Sequence, residues 1–451
     1  MTRWANDAVF YHLYPLGACG APLRNEPGAP PERRLEALFS WIGHWRELGV
    51  NALYLGPVFE SSAHGYDTAD FFRIDRRLGD WELFKHFVEE VHRAGIRVIL
   101  DGVFHHVGRD FWAFRDVRER GPGSPYCGWF SGLRFDRHNR FGDPFAYDGW
   151  NGCEELVKLD LANPAVREHL FGAVEAWIRD FGIDGLRLDA ADCIDLGFLA
   201  DLAAFCRSQR SDFLLLGEVI HGDYRRWANP QTLDSTTNYE CFKGLHSSFN
   251  DKNLFEIAAS LRRQFAERGL YTDLPLYAFA DNHDVDRVSS LLKNRAHLYP
   301  LYLLLFTMPG MPSIYYGSEW GLQGTKAQGG DPALRPPLPD RGAIGALPEP
   351  DLAPALARFA RLRHETAALR RGRYREVLVR SEQLVFAREL GEETVLVAVN
   401  ASEAPASFEL PGGPWSGCEL VDLLDPPQTH RPGQGTALTL PPCWGRVMRV
   451  R

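Results

Sequence analysis

Four short apolar runs of this 451-residue chain close on a carboxylate: Asp101 after RVIL, Asp189 after GLRL, Glu218 after LLLG, and Asp284 just beyond LYAFADNH. One such Asp alone usually caps the next helix. Four of them brought to one rim would make a site. Clustered carboxylates in a wet cleft suit two tasks, holding a divalent cation or cleaving a glycoside with an acid and a nucleophile. Arg187 lies two residues before Asp189, so on a strand both side chains leave by the same face. Its guanidinium is expected to hold Asp189 ionised and lower its pKa, as a nucleophile requires. Glu218 follows Leu214-Leu215-Leu216-Gly217, and that apolar setting is expected to raise its pKa toward that of a general acid. His106 and His283 offer donors for sugar hydroxyls, although either alone also reads as a loop or cap partner.

Elements must bring these residues together. Apolar runs at 8–14, 51–58, 97–101, 185–189, 213–218, 276–281 and 313–316, with a weaker one at 233–239, lack period-two alternation. That pattern predicts strands buried on both faces of a parallel sheet. The intervening stretches read as helices. The clearest runs from Asn163, an N-cap followed by Pro164, to Gly182, with Val166, Leu170, Phe171, Val174, Trp177 and Ile178 on one face. Eight alternations predict a (β/α)₈ barrel, with a doubly wound sheet as the alternative. Either way, strands present their C-terminal ends, where the acids lie, to ligand.

The predicted organisation is a barrel begun in 1–106, a subdomain inserted after the third strand at 107–160, the barrel resumed in 161–370, and a C-terminal antiparallel β-sandwich in 371–451. The Gly/Pro-rich stretch 321–349 reads as a barrel loop. Residues 298–318 carry no charge, but Pro300, Pro309, Gly310 and Pro312 turn them into helix end, turn and buried strand rather than a membrane span. Eleven aromatic residues fall within 111–150, among them Trp112, Trp129 and Trp150, and are expected to form a sugar-stacking wall over the cleft.

Hydrophobic residues make up 45% and charged residues 24%, which excludes a disordered or fibrous chain. A net charge of −9 without any Lys/Arg run argues against nucleic acid as a partner. Eight cysteines without a CxxC pair read as reduced thiols. With no apolar leader and cleavage site at the start, the expected location is cytoplasmic.

The motifs DGVFHH (101–106), GLRLDAAD (185–192), GEVIH (217–221) and FADNHD (279–284) resemble, in order and spacing, the four motif regions of the α-amylase family of glycoside hydrolases. The likeness extends to residues 52–80, to LDLANP (159–164) and to IYYGSEWG (314–321). GEVIHGDYRRW and TTNYECFKG are most similar to the cyclomaltodextrinase, neopullulanase and maltogenic amylase group. The resemblance implies Asp189 as nucleophile, Glu218 as general acid/base and Asp284 as the carboxylate that stabilises the transition state. It implies Tyr66 stacking on the sugar, His106, Arg187 and His283 holding hydroxyls or the nucleophile, and Asp331 and Arg335 contacting the next sugar. The implied activity is retaining hydrolysis of α-1,4-glucans (maltooligosaccharides, cyclodextrins, pullulan-type fragments), with α-1,6 cleavage or transglycosylation from the same machinery.

The chain departs from the family pattern in places. His105 stands where the family usually has a calcium-binding Asn, and imidazole is a poor calcium ligand, so no metal or other cofactor is expected. Ala191-Asp192 replaces a Lys-His pair on the leaving-group side. The first strand begins near residue 8, so the N-terminal β-domain of cyclomaltodextrinases, and the dimer it builds, are not implied; the oligomeric state stays open. The runner-up activities are α-glucosidase and disaccharide isomerase or transglucosylase of the same family. Readings from other classes are a non-catalytic glucan-binding protein and a metal-dependent hydrolase using His105, His106 and His283.

Overall fold

The computed structural model describes residues 4–425, 428–431 and 437–451. The eight apolar runs form β1 (Phe10–Leu13), β2 (Ala52–Leu55), β3 (Arg97–Gly102), β4 (Gly185–Leu188), β5 (Leu214–Gly217), β6 (Ser235–Thr236), β7 (Tyr277–Phe279) and β8 (Met311–Tyr315). They pair in parallel in the order β6-β5-β4-β3-β2-β1-β8-β7. One bridge, Thr237 to Tyr277, closes the ring, so the sheet is a barrel and not a doubly wound layer. The strands are largely apolar because both faces are covered, the exceptions such as Asp101 and Arg187 lying toward their C-terminal ends. Phe10, Tyr54, Ile99, Leu216, Tyr277 and Phe279 fill the barrel, while Tyr11, Leu53, Leu100 and Leu186 face the helices.

The helix Pro164–Phe181 follows its sequence signals. Asn163 accepts the Ala165 N–H at 2.9 Å, and Gly182 ends the helix at φ 67°. Such a cap contributes about 1 kcal/mol. Val166, Leu170, Val174 and Trp177 are buried as expected, whereas Phe171 and Ile178 lie at the edge of the face, half-buried. The uncharged stretch becomes helix Leu298–Thr307 and then β8, with Gly310 at φ 116° making the turn. No helix among the described residues is long and apolar enough to cross a membrane.

The insertion after β3 builds its own three-stranded antiparallel sheet from His106–Gly108, Cys153–Lys158 and Gly149–Trp150. Its aromatic residues correct an expectation. Phe111, Phe114, Phe130, Phe145 and Tyr147 are buried in a core that includes the edge-to-face pairs Phe114–Phe130 and Phe114–Tyr147. Trp112, Tyr126 and Trp129 pack around one another and His169. Phe135 and Phe141 are exposed. Of the eleven, only Trp150 lines the cleft described below. A small subdomain has little chain from which to make a core, and the aromatic residues supply it.

After helix Leu352–Glu365 the chain enters a six-stranded antiparallel sheet opening at Arg373–Val379, covered by the ribbon Ala406–Phe408/Leu438–Leu440. Two buried arginines brace this junction: Arg363, on the preceding helix, ties the end of the barrel together, and Arg388 fastens the new domain to it. Arg363 donates to Phe306 O and Leu369 O, both at 3.0 Å. Arg388, on strand Gln383–Leu390, donates to Thr307 O at 2.5 Å and Gly372 O at 2.9 Å. Phe306 and Thr307 end helix Leu298–Thr307, where unpaired carbonyls and the helix dipole favour a cation. Arg388→Met retains bulk but strands those carbonyls. It is expected to cost about 2–4 kcal/mol, read as a lower urea midpoint; an unchanged midpoint would show that water replaces the guanidinium.

Candidate active site

The C-terminal ends of the strands surround a cleft of about 580 Å³. At its floor Asp101 and Arg187 are direct partners in the β3–β4 register. Arg187 Nη1 donates to both oxygens of Asp101, at 2.7 and 3.0 Å, and to Asp189 Oδ1 at 3.0 Å. Its Nη2 meets Glu218 Oε2 at 2.7 Å. Tyr54 and Tyr66 each donate to Asp101 Oδ2 at 2.9 Å. Thus Asp101, read from sequence only as one of four strand-end acids, anchors the guanidinium that reaches two of the others, Asp189 and Glu218.

Local backbone fixes the two acids on the neighbouring strands. Glu218 leaves β5 directly after Gly217, where a Cβ would come within 2.4 Å of Leu233. Ala190 adopts φ 44°, a left-handed conformation uncommon for a residue with a Cβ. That turn aims its N–H at Glu218 Oε2, at 3.0 Å, so the backbone beside one acid holds the other. Tyr66 sits in a turn where Asp67 Oδ1 accepts from His64 N and Gly65 N, at 3.0 and 3.1 Å.

Asp284 has separate partners. His283 Nε2 and Arg335 Nη2 each approach its carboxylate at 2.9 Å. Arg335 also donates to His283 O and Asp331, both at 3.0 Å, and lies over the Tyr14 ring. His283 stacks on Tyr66 with centroids 5.3 Å apart. His106 comes from the inserted sheet, its Nε2 3.8 Å from Asp189 Oδ2 and both ring nitrogens without a partner. Burial pushes its imidazole down to about 3.

Every site residue expected from sequence therefore meets in one place: Tyr66, His106, Arg187, Asp189, Glu218, His283, Asp284, Asp331 and Arg335. The cleft also takes in His64, Trp150, Asp192, Ile220, Tyr239 and Lys326. Of these only Asp192 and Trp150 had been singled out. Tyr239, in TTNYECFKG, had a signal in that motif; His64 and Lys326 come from loops whose positions depend on the closed barrel.

The electrostatics differ from expectation at one residue. Burial raises Glu218, as predicted. Asp189 is also pushed well up, by burial and by Glu218, Asp101 and Asp284, with Arg187 opposing. One guanidinium divided among three carboxylates cannot depress Asp189 as it would a single neighbour. Asp189 and Glu218 share Arg187 and therefore titrate as a linked pair. Burial also opposes ionisation of Asp284, but His283 and Arg335 outweigh it and hold that carboxyl well below the usual range.

His105 is buried beside Lys158, and burial with that charge lowers it to about 4. This is no surrounding for a hard cation. Among the described residues no three His, Cys, Asp or Glu side chains converge as a metal site. In Glu218→Gln, Asp189 loses one like charge and its pKa should fall, observed by ¹³C-carboxyl NMR titration against the parent protein. An unmoved Asp189 would mean that the two are not coupled.

Comparison with known proteins agrees with this geometry. Residues 35–336 match the family described as alpha amylase, catalytic domain, and residues 375–444 match maltogenic amylase, C-terminal domain. The chain is 32% identical to neopullulanase 2 of Thermoactinomyces vulgaris, with 99% of this chain and 78% of that protein covered. It is 30% identical to a cyclomaltodextrinase of Geobacillus thermopakistaniensis, covering 97% and 76%. The structure of cyclic alpha-maltosyl-(1→6)-maltose hydrolase from Arthrobacter globiformis, in complex with cyclic alpha-maltosyl-(1→6)-maltose, superposes with a TM-score of 0.83 at 28% identity, covering 99% of both chains. With the catalytic-domain match spanning most of the barrel, the chain belongs to the α-amylase family of glycoside hydrolases.

Proposed function

We propose that this protein is a retaining α-glycosidase acting on α-1,4-linked glucans: maltooligosaccharides, cyclodextrins and pullulan-type fragments. The observation that carries this reading is the Arg187 guanidinium joining Asp189 to Glu218, while Asp284 stands apart with its own cations. Two coupled carboxyls and one independently ionised carboxylate match the needs of the reaction. Glu218 gives its proton to the glycosidic oxygen as Asp189 attacks the anomeric carbon. The leaving sugar departs as an alcohol, and a β-glycosyl ester remains on Asp189. Glu218, now a carboxylate, takes a proton from water, which attacks the same carbon and frees Asp189. A sugar hydroxyl in place of that water gives transglycosylation, and a glycosidic oxygen at C6 in place of C4 gives α-1,6 cleavage.

Asp284 faces the charge that develops on the sugar ring, Tyr66 forms its platform, and His106 and His283 offer donors to its hydroxyls. Asp331 and Arg335 contact the next sugar. Past Arg335 the cleft continues into a further space of about 500 Å³ lined by Leu16, Leu23, Pro336 and Pro337. That continuation supports a chain substrate over the blind pocket of an α-glucosidase or disaccharide isomerase, as do the names of the neopullulanase and cyclomaltodextrinase relatives. The eight unpaired cysteines support a cytoplasmic location. No calcium is invoked at His105, and no other cofactor.

Asp189→Asn should lower turnover of maltotriose by about 10⁴-fold with little change in melting temperature; near-normal turnover would remove this assignment. Chromatography of products from cyclodextrin, pullulan and maltotriose should show cleavage of all three, whereas rearranged disaccharides alone would favour the isomerase. Dialysis against a strong chelator should leave the rate on maltotriose within about twofold, and a collapse restored by calcium would overturn the metal-free reading.

A further inference from the structure

Arg335 grips Asp284 from the end of the single helical turn Asp331–Leu334, an isolated turn in the long excursion after β8 that gives a flexible guanidinium little support of its own. The carbonyls on either side of it are nevertheless held. Leu334 O accepts from Arg287 Nη2 at 2.8 Å and from Tyr315 OH at 3.0 Å. Pro336 O accepts from Tyr316 OH at 2.7 Å. We propose that Arg287, Tyr315 and Tyr316 are positioning residues, a clamp that fixes the backbone on both sides of Arg335 and so keeps its guanidinium on Asp284.

Arg287 is built for such a task. It is fully buried, donates to Tyr316 O at 2.5 Å, and lies 4.1 Å over the Tyr315 ring. Its own backbone N–H bonds Gly324 O at 3.0 Å, so it pins the same excursion at a second place. The two tyrosines end β8 and begin the loop after it, which makes the clamp part of the barrel and not of the loop it holds. The slot is closed from the far side by Gly17, where a Cβ would lie 2.3 Å from Arg335 O and 2.9 Å from the Tyr316 hydroxyl. Arg335 can then move only as far as its side chain allows.

The clamp rests on the reading of Asp284 as a working carboxylate and adds what keeps it ionised. His283 and Arg335 flank Asp284 on its own side of the cleft, and Arg187, Asp189 and Glu218 face it from the other. The hydroxyls of Tyr66 and Tyr239 and the ring of His12 complete its surroundings. Among these Arg335 alone comes from the long excursion after β8. Loosening it takes a cation from Asp284, so the carboxylate that faces the developing charge on the sugar ring is held less firmly in place and turnover falls.

The test is kcat and KM on maltotriose at the pH optimum for Tyr316→Phe, Tyr315→Phe, Arg287→Lys and Arg287→Met. Turnover should fall about threefold for each tyrosine variant and about tenfold for Arg287→Met, with KM changing less than kcat. Arg287→Lys should recover part of that loss. A melting curve checks folding; the tyrosine variants lose one hydroxyl each and keep the test valid if Arg287→Met does not fold. A kcat equal to the parent's in the folded variants would overturn the clamp. Asp284→Asn, run alongside, separates the two ideas: full activity there would remove the role of Asp284 itself.

Discussion

A single buried guanidinium organises the floor of this barrel. Arg187 is 3% exposed and touches three carboxylates that belong to three consecutive strands of the sheet. Taking it out of water costs several kcal/mol per ion, which only close, hydrogen-bonded partners offset. Asp101 supplies that compensation, with Tyr54 and Tyr66 bonded to its second oxygen. Asp189 and Glu218 are then free to share what remains of the charge. The arrangement separates an anchoring carboxylate from two reactive ones, although all three meet the same cation.

Much of this architecture was legible in the chain because parallel strands buried on both faces leave uninterrupted apolar runs. The acids were legible for a related reason, since a carboxylate at the end of such a run has nowhere to go but the rim. β6 was the weakest signal and is the shortest strand, only Ser235–Thr236. What the sequence hid was whatever depends on sharing. Arg187 beside Asp189 suggested a lowered pKa, and burial together with three neighbouring carboxylates reversed it. The aromatic residues of the insertion suggested a wall; most are the core that so short a subdomain needs. Arg363 and Arg388 look like ordinary surface residues in sequence, and only the fold brings them under the end of a barrel helix.

The site contains two electrostatic settings a short distance apart. Around Asp189 and Glu218, carboxylates outnumber cations and both carboxyls are raised. Around Asp284, Arg335 and His283 outnumber it and the proton is shed. The Asp284 side chain is 34% exposed against 12% for Asp189 and for Glu218, so partners and depth act in the same direction. Strain contributes as well: Ala190 holds an unfavourable φ and in return directs its N–H onto Glu218.

The ring of strands has one thin place. Between β6 and β7 a single backbone bridge does the work that a ladder of bonds does elsewhere, helped by Ser235 Oγ on Pro275 O at 2.7 Å below it. Above it, Asn282 Nδ2 reaches the hydroxyl of Tyr239 at 3.1 Å, and Tyr239 lines the cleft two residues beyond the bridge. The uppermost stitch of this seam is therefore made by the wall of the active site. Displacing Tyr239 would cost the barrel that stitch as well as one face of the cleft.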